Sequence, residues 1–423
     1  MSNPRFAPDA RITANALPLP AAMRGSVSRI ALQLGIEGAD RLELTLVNEG
    51  LHWLDHPQIM LGRELRLELG YAPDPLDQVF VGEVVGLTPN FPADGGPTLT
   101  VVAHDRRARM QRGTKTRWFA IAIPRGGNRP MPDPVVAGLV AAESQLIFAS
   151  DPVSLAISAA LGGVEYGVRA ASGKSKGAGD QELIRKQRGE TDLAFLGRIA
   201  GENGWVMSVD HTGAQGGRVL RFTSLLAHLV PDLTLRYGEN LIDFAPRIST
   251  VGEILAVTIR FWIPQLKIEM TVTAGWDWDR QSLNVTAVPS SGRGGGRPQK
   301  TAVSALVLNE QVSATTAARV LLAKLLDKLN QRLTGTASTI GDVRFKPGGV
   351  VQLEGVGKLF GGPYRVTAVN HTLDTGGFRS SIEVRKEIWF DGAHLMRGVE
   401  NAARTALGGV VSSIPGLKEA ASS

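Results

Sequence analysis

Apolar and polar residues alternate over short stretches near both ends of the chain. Glu64-Leu-Arg-Leu-Glu-Leu69 alternates strictly, and Tyr364-Arg-Val-Thr-Ala-Val369 does so more loosely. A period of two puts every second side chain on one face, so both stretches predict half-buried strands. Across Val350–Arg385 the pattern predicts three strands: Val350–Leu353, Tyr364–Leu373 and Phe378–Val384. Between the last two, Asp374-Thr-Gly-Gly377 supplies glycines for the positive φ of a hairpin turn. The same plan appears earlier. Glu64–Leu69 is followed by Phe80–Leu87, a turn at Ala93-Asp-Gly-Gly96, and Thr98–Ala103, with Arg41–Val47 as a further strand. Phe80-x-Gly82 lines up with Phe360-x-Gly362. The pattern predicts a duplicated antiparallel β module, one copy near each end.

Between the copies the periodicity changes. Pro124 to Pro134 is too rich in Pro and Gly for a regular element and reads as a boundary loop. Asp151 can cap a helix with Pro152 at its first position. Thr191 or Asp192 starts another helix through Glu202, with Leu193, Leu196, Ile199 and Ala200 as its stripe and Asn203-Gly204 as its stop. Trp205–Val209 and Val219–Phe222 make a hairpin packed on it. Strands return at Ala256–Trp262 and Lys267–Thr273. Ser313–Leu333 is the longest predicted helix, with Leu322, Leu325, Leu326, Leu329 and Leu333 on one face and Gly335 as its end. Residues 1–25 read as an arm, Lys174–Gly179 and Ser290–Lys300 as flexible loops, and 392–423 as a weak helix or tail. The expected fold is mainly β with an α/β insert (α+β). Its divisions are a first module at 1–120, an α/β domain at 121–248, a second module at 249–391 and a tail at 392–423.

Composition narrows the function. The 423 residues are 43% hydrophobic and 20% charged, which suits a globular protein of two to four domains. The absence of cysteine excludes disulfides, thiolate zinc sites and cysteine nucleophiles. No stretch reads as a signal peptide or is apolar for long enough to span a bilayer. The net charge is +6, and much basicity lies in Arg106–Arg117, which suggests either a solvated domain edge or a contact with nucleic acid.

Catalytic groupings are missing. Gly167–Ser175 has five residues between its glycines where a phosphate loop needs four. His52 and His56 stand at i, i+4 without the glutamate of a zinc protease, and a surface turn is the simpler reading. His371 lies in a strand and is expected to bond the backbone. No G-x-S-x-G elbow occurs, and no carboxylate pair stands out for glycoside cleavage. Trp276-Asp-Trp-Asp279 reads as an edge-strand aromatic pair or a sugar-stacking surface. No catalytic residue, cofactor or metal is expected.

Four stretches carry a family likeness: Leu65–Tyr71 through Val79–Val84; Gln187–Leu196 with Glu202-Asn-Gly204; Phe345-Lys-Pro-Gly-Gly349; and Phe360–Val366 with Val369-Asn-His371 and Asp374–Phe378. In that order, over about residues 25–390, they resemble the late control D family. These are tail or baseplate hub proteins of contractile-tailed phages and extracellular contractile injection systems, related to the hub portion of VgrG proteins. The resemblance implies two tube-like barrels per chain and a homotrimer, so that six quasi-equivalent β units face a hexameric inner tube on one side and a spike on the other. It implies as partners an inner tube protein, a separate spike protein, since this chain ends soon after its last strand, and other baseplate components. It also implies assembly in the bacterial cytoplasm and a place in a phage tail or injection particle, with no specific nucleic acid. The alternatives are a tail-associated cell-wall hydrolase and a nucleic-acid-binding protein using residues 106–117. If the modules are quasi-equivalent, the tips Asp94, Gly95 and Gly96 and Asp374, Thr375, Gly376 and Gly377 share one axial face, at or near a tube or spike contact. The plainer reading makes them ordinary exposed turns.

Overall fold

The computed structural model describes residues 7–123, 127–152, 154–156, 159, 184–224, 227–248, 256–263, 268–277, 282–290, 305–308, 328–387 and 390. The chain opens with strands β1 (Ala7–Ala14) and β2 (Leu17–Pro18) and a short helix α1 (Ala21–Ser26). The expected irregular arm is therefore a strand: β1 pairs with the alternating stretch from Ala7↔Ala72 to Ala14↔Leu65, and Ile12 and Ala14 enter the core. Then come β3 (Val27–Gly35), β4 (Arg41–Val47), β5 (Glu64–Ala72), β6 (Asp77–Asn90) and β7 (Thr98–His104). Alternation places Leu65, Leu67 and Leu69 of β5 inside and Glu64, Arg66 and Glu68 towards water.

The intervening unit holds β8 (Lys115–Ile123), β9 (Gly127–Pro130), helix α2 (Asp133–Glu143), β10 (Ile147–Ser150), β11 (Arg185–Glu190), helix α3 (Asp192–Asn203), β12 (Trp205–Asp210) and β13 (Val219–Ser224). The stretch read as a boundary loop at Pro124–Pro134 contains β9 and the start of α2. Pro134 fits there because the first helical residues need no N–H partner. Thr191 caps α3, its side chain accepting from the Ala194 N–H, and Gly204 ends it in the left-handed region. Val136, Val140, Phe195, Leu196 and Phe222 join a separate core there.

Next come β14 (Leu233–Arg236) and β15 (Leu241–Ile248), followed by a separate four-stranded sheet of β16 (Ala256–Ile263), β17 (Ile268–Asp277), β18 (Ser282–Ser290) and β19 (Ala305–Leu308). In that sheet β17 lies between β16 and β18, so Trp276 is on an interior strand and not at an edge. The described strands end with β20 (Leu333–Ile340), β21 (Val350–Glu354), a helical turn α4 (Gly357–Phe360), β22 (Gly362–Asp374) and β23 (Gly377–Arg385). Most of the expected helix Ser313–Leu333 lies outside the described residues. Lys328–Asn330 is helical with Leu329 buried, but Leu333 already begins β20. Gly335 is no helix stop. A Cβ there would come within 2.9 Å of the Phe244 ring and 3.1 Å of the Ala245 carbonyl, so glycine allows β15 to approach closely.

The duplication is written in the topology. The first module has the order β3-β4-β7-β6-β5, and the second has β15-β20-β23-β22-β21. The irregularities coincide as well. β3 bulges between Val27 and Arg29 and β15 between Leu241 and Asp243; β6 bulges between Val84 and Gly86 and β22 between Val366 and Ala368. Positive-φ Gly62 and Gly348 each precede the loop residue whose carbonyl accepts from the bulged strand, Val84 bonding Arg63 and Val366 bonding Gly349. Aligned on these bulges, Gly82 takes the place of Tyr364, two residues away from the Phe-x-Gly match. Phe80 sits within β6 against Leu67, whereas Phe360 closes a helical turn. The modules meet through β22 and β3, paired from Ala368↔Gly35 to Leu373↔Ile30, which makes one thirteen-stranded sheet. The Tyr71 hydroxyl of the first module also donates to the Gly341 carbonyl of the second at 3.1 Å.

Candidate interaction surface

The two expected tips leave the sheet at the same end. One row across the sheet runs Leu373, Ile30, Leu44, Val101, Leu87. Beyond it β22 and β6 run on in the same sense, β22 into the turn at Asp374–Gly377 and β6 into Phe91–Pro97. Asp94, Gly95, Gly96, Thr375 and Gly376 are exposed, and Asp374 and Gly377 half-buried. Gly95 and Gly377 take φ of 95° and 96°, which favours glycine, and the Asp374 carboxylate accepts from the Gly376 N–H at 2.8 Å. Phe91, 61% exposed, stands beside the first tip.

A buried ionic joint holds the α/β unit on the first module. Arg107 lies in the basic run but is fully buried. Its guanidinium is 2.7 Å from Asp40 and 2.8 Å from Asp105, and it donates to the Met207 carbonyl of β12 at 3.2 Å. His211, in the turn after β12, accepts the Val81 N–H at Nδ1, 3.1 Å away, and its Nε2 lies 2.8 Å from Asp40. With Nδ1 accepting, the proton sits on Nε2 and is donated to the carboxylate. Burial alone would raise the Asp40 carboxyl, but Arg107 and the His211 hydrogen bond outweigh it and hold it at about 2. Burial and the neighbouring Asp40 push Asp105 the other way, as expected where two carboxylates share one guanidinium. Asp40, Asp105 and His211 are also the one metal-like donor group among the described residues, but Arg107 takes the cation's place between them.

Most other cations of the run are also paired within the chain, in less buried settings, while Arg112 is exposed. Arg106 pairs with Glu64, Arg109 with Glu83, and both Lys115 and Arg117 with Glu143 and Asp192. The run is thus an internal clasp, not a solvated edge, and offers few free cations to phosphate. Sequence reasoning missed this because the partners Asp40, Glu143 and Asp192 lie far away in the chain.

A groove of about 1130 Å³ opens where Leu76–Val79, Val206–Thr212 and Val343–Gly349 converge. Some of its charges are paired locally, Asp210 with Arg221 and Arg344 with Asp342. His371 lies at this junction, fully buried, with Nδ1 2.8 Å from the Ser380 hydroxyl, so its partner is a side chain and not the backbone. Burial lowers it to about 4, which keeps the ring neutral. His52, Trp53 and His56 form a surface turn with edge-on ring contacts, and the two histidines gather no metal-ligating group. The glycine-rich stretch at 167–175 lies outside the described residues.

This architecture is the fold of phage tail proteins. The chain is similar to the 43 kDa tail protein of prophage MuSo2 from Shewanella oneidensis, with 14% identity, 89% of this chain and 98% of that one covered, and a TM-score of 0.57. It is equally similar to a tail protein from Neisseria meningitidis MC58, with 12% identity, 91% and 98% coverage and a TM-score of 0.57. A third is the E. coli c3393 protein, a component of the type VI secretion system with structural similarity to the T4 bacteriophage tail proteins gp27 and gp5. Identity there is 11%, coverage 88% and 76%, and the TM-score 0.52. The sequence pattern of the Alg8 N-terminal domain family matches residues 174–375, less than half of the chain. No curated protein matches the sequence. Among the described residues no helix is long and apolar enough to cross a membrane.

Proposed function

We propose that this chain is a structural, non-enzymatic hub of a contractile tail or injection particle, of the late control D type: a trimeric adaptor between a hexameric inner tube and a separate spike. The observation that carries this reading is the internal repeat. Two modules with the same strand order and bulges at matching positions give one chain two quasi-equivalent units. Three such chains present six units to a six-fold partner while keeping three-fold symmetry for a spike. The proposed division keeps a first module, an α/β unit and a second module. The pairing of β14 with β21 and of β15 with β20 supports starting the second module near Leu233 instead of at 249. The tips would lie at or near a tube or spike contact, other baseplate components would be further partners, and assembly would take place in the bacterial cytoplasm. Among the described residues the close carboxylates Asp40 and Asp105 are neutralised by Arg107, which does not favour the hydrolase alternative, and the nucleic-acid alternative is weakened by the internal pairing of most cations in Arg106–Arg117.

Native mass measurement of the purified full chain tests the reading. A trimer is expected, and a chain that stays monomeric or dimeric over the accessible concentration range would overturn it.

A further inference from the structure

The seam inside the chain has an unfilled counterpart on its outside. β22 takes β3 along its outer edge, pairing Val369↔Leu34, Asn370↔Gln33, His371↔Leu32, Thr372↔Ala31 and Leu373↔Ile30. By the bulge positions, Leu87 to Phe91 correspond to Val369 to Leu373, and Phe244 to Ile248 correspond to Ile30 to Leu34. Among the described residues no strand pairs with Leu87–Asn90 on the side away from β7, nor with β15 on the side away from β20. β15 and this part of β6 are therefore the two halves of the same joint, held at distant edges of one sheet.

We infer that β6 of one copy takes β15 of the next, in the register of the internal seam. The partner is a second copy of this chain, and the inference rests on the hub reading above. The paired rungs are Leu87 with Ile248, Thr88 with Arg247, Pro89 with Pro246, Asn90 with Ala245 and Phe91 with Phe244. Side chains support that register. The internal seam buries the apolar row Val369, Leu34, Leu32 and Ile30. The matching positions of the open joint are also apolar: Leu87, Pro89 and Phe91 on one edge, Phe244, Pro246 and Ile248 on the other. In the single chain Leu87, Phe244 and Pro246 are half-buried, whereas Pro89, Phe91 and Ile248 are exposed, Phe91 to 61% and Ile248 to 38%. Exposed strand edges of this kind are normally guarded, and proline is one guard. Here both prolines fall on one rung, which lacks an N–H from either strand. The seam is held there by apolar contact and is weaker than the internal one, as suits a joint that forms between copies. Because the two edges differ, the contact is head-to-tail, and repeating it closes a ring or runs on as a filament.

Cysteine cross-linking tests this directly, since the chain has no cysteine of its own. Thr88→Cys combined with Arg247→Cys is expected to give reducible covalent multimers under mild oxidation, whereas each single variant stays uncoupled. Thr88→Cys with Asp243→Cys, displaced along β15 by about 13 Å at the usual strand rise, is expected to remain uncoupled. Ile248→Asp, at a position exposed in the single chain, is expected to abolish the multimer while leaving the melting of the monomer unchanged. Cross-linking by a single variant would indicate a symmetric contact and overturn the seam. A trimer by native mass with no Thr88–Arg247 cross-link, or with full assembly in Ile248→Asp, would overturn the seam and leave the hub reading standing. An in-register cross-link in an open ladder without a closed trimer would keep the seam and overturn the hub reading.

Discussion

Arg107 carries its charge to a place that water does not reach, and two carboxylates share it. Its removal leaves those carboxylates buried without a counter-charge, which costs far more than the pair contributes against an apolar substitute. Arg107→Met is expected to destabilise the fold by about 3–5 kcal/mol at neutral pH. The pH dependence contributed by Asp40 also changes sign. In the native protein Asp40 sits at about 2 against an ordinary 3.8, so its contribution is complete above 3.8 and is lost as pH falls towards 2. Without Arg107 the carboxyls rise, and the variant should gain stability on acidification from pH 7 to 5. Denaturant melts at the two pH values check this, and a variant as stable as wild type at pH 7 would show that the joint is not structural. His371 works in the other direction of charge. Its ring, ordinarily near 6.5, is held at about 4 by burial, so the unfolded chain takes up a proton that the folded chain refuses. Stability contributed above pH 6.5 is lost as pH falls to 4, by about 3 kcal/mol. His371→Leu is expected to flatten that slope, measured by melts from pH 7 to 4, whatever it costs at pH 7.

The strands were legible wherever a strict alternation met a glycine turn. Arg41–Val47, Glu64–Leu69 and Thr98–Ala103 lie within β4, β5 and β7, and the last three strands lie within β21, β22 and β23. Those strands carry one buried and one wet face, and that asymmetry is what a period of two records. β1 escaped because Ala7-Pro-Asp-Ala pairs along β5 while largely exposed, so no apolar signal marks it. α2 escaped because Pro132 and Pro134 resemble a loop, although a proline in a helix's first turn loses no bond. Repetition was legible as architecture but not as alignment. The Phe-x-Gly match was displaced by two residues because the bulge at Val85 and that at Thr367 fix the register, and no side-chain pattern announces a bulge. The buried joint was illegible for a simpler reason. Arg107 in a run of arginines is indistinguishable from a surface cation until Asp40 and Met207 are brought beside it.

At the scale of the whole molecule, the sheet has one end where both repeats present a tip. β22 and β6 run in the same sense through the row Leu373, Ile30, Leu44, Val101 and Leu87, so in a ring of copies the two kinds of tip alternate around one rim. A rim of exposed turns backed by sheet is suited to capping another ring, by strand addition or by loop contacts. The tips differ in length. Gly376 lies in a tight turn closed by Asp374↔Gly377, whereas Gly95 lies in a longer loop from Phe91 to Pro97. Lengthening the longer loop costs little, since doubling a flexible loop adds about 0.6 kcal/mol to its closure, and an insertion at Gly376 turns a tight turn into a loop outside the paired strands. A short Gly/Ser insertion at Gly95 or at Gly376 is therefore expected to leave the melting temperature and the proposed trimer nearly unchanged. Each insertion is expected to impair particle assembly, and to similar extents. Counting assembled particles by electron microscopy in cells complemented with each variant provides the measurement. Normal particles from both variants would show the tips to be ordinary exposed turns. Loss from one alone would confine the contact to a single repeat and break the quasi-equivalence at this rim.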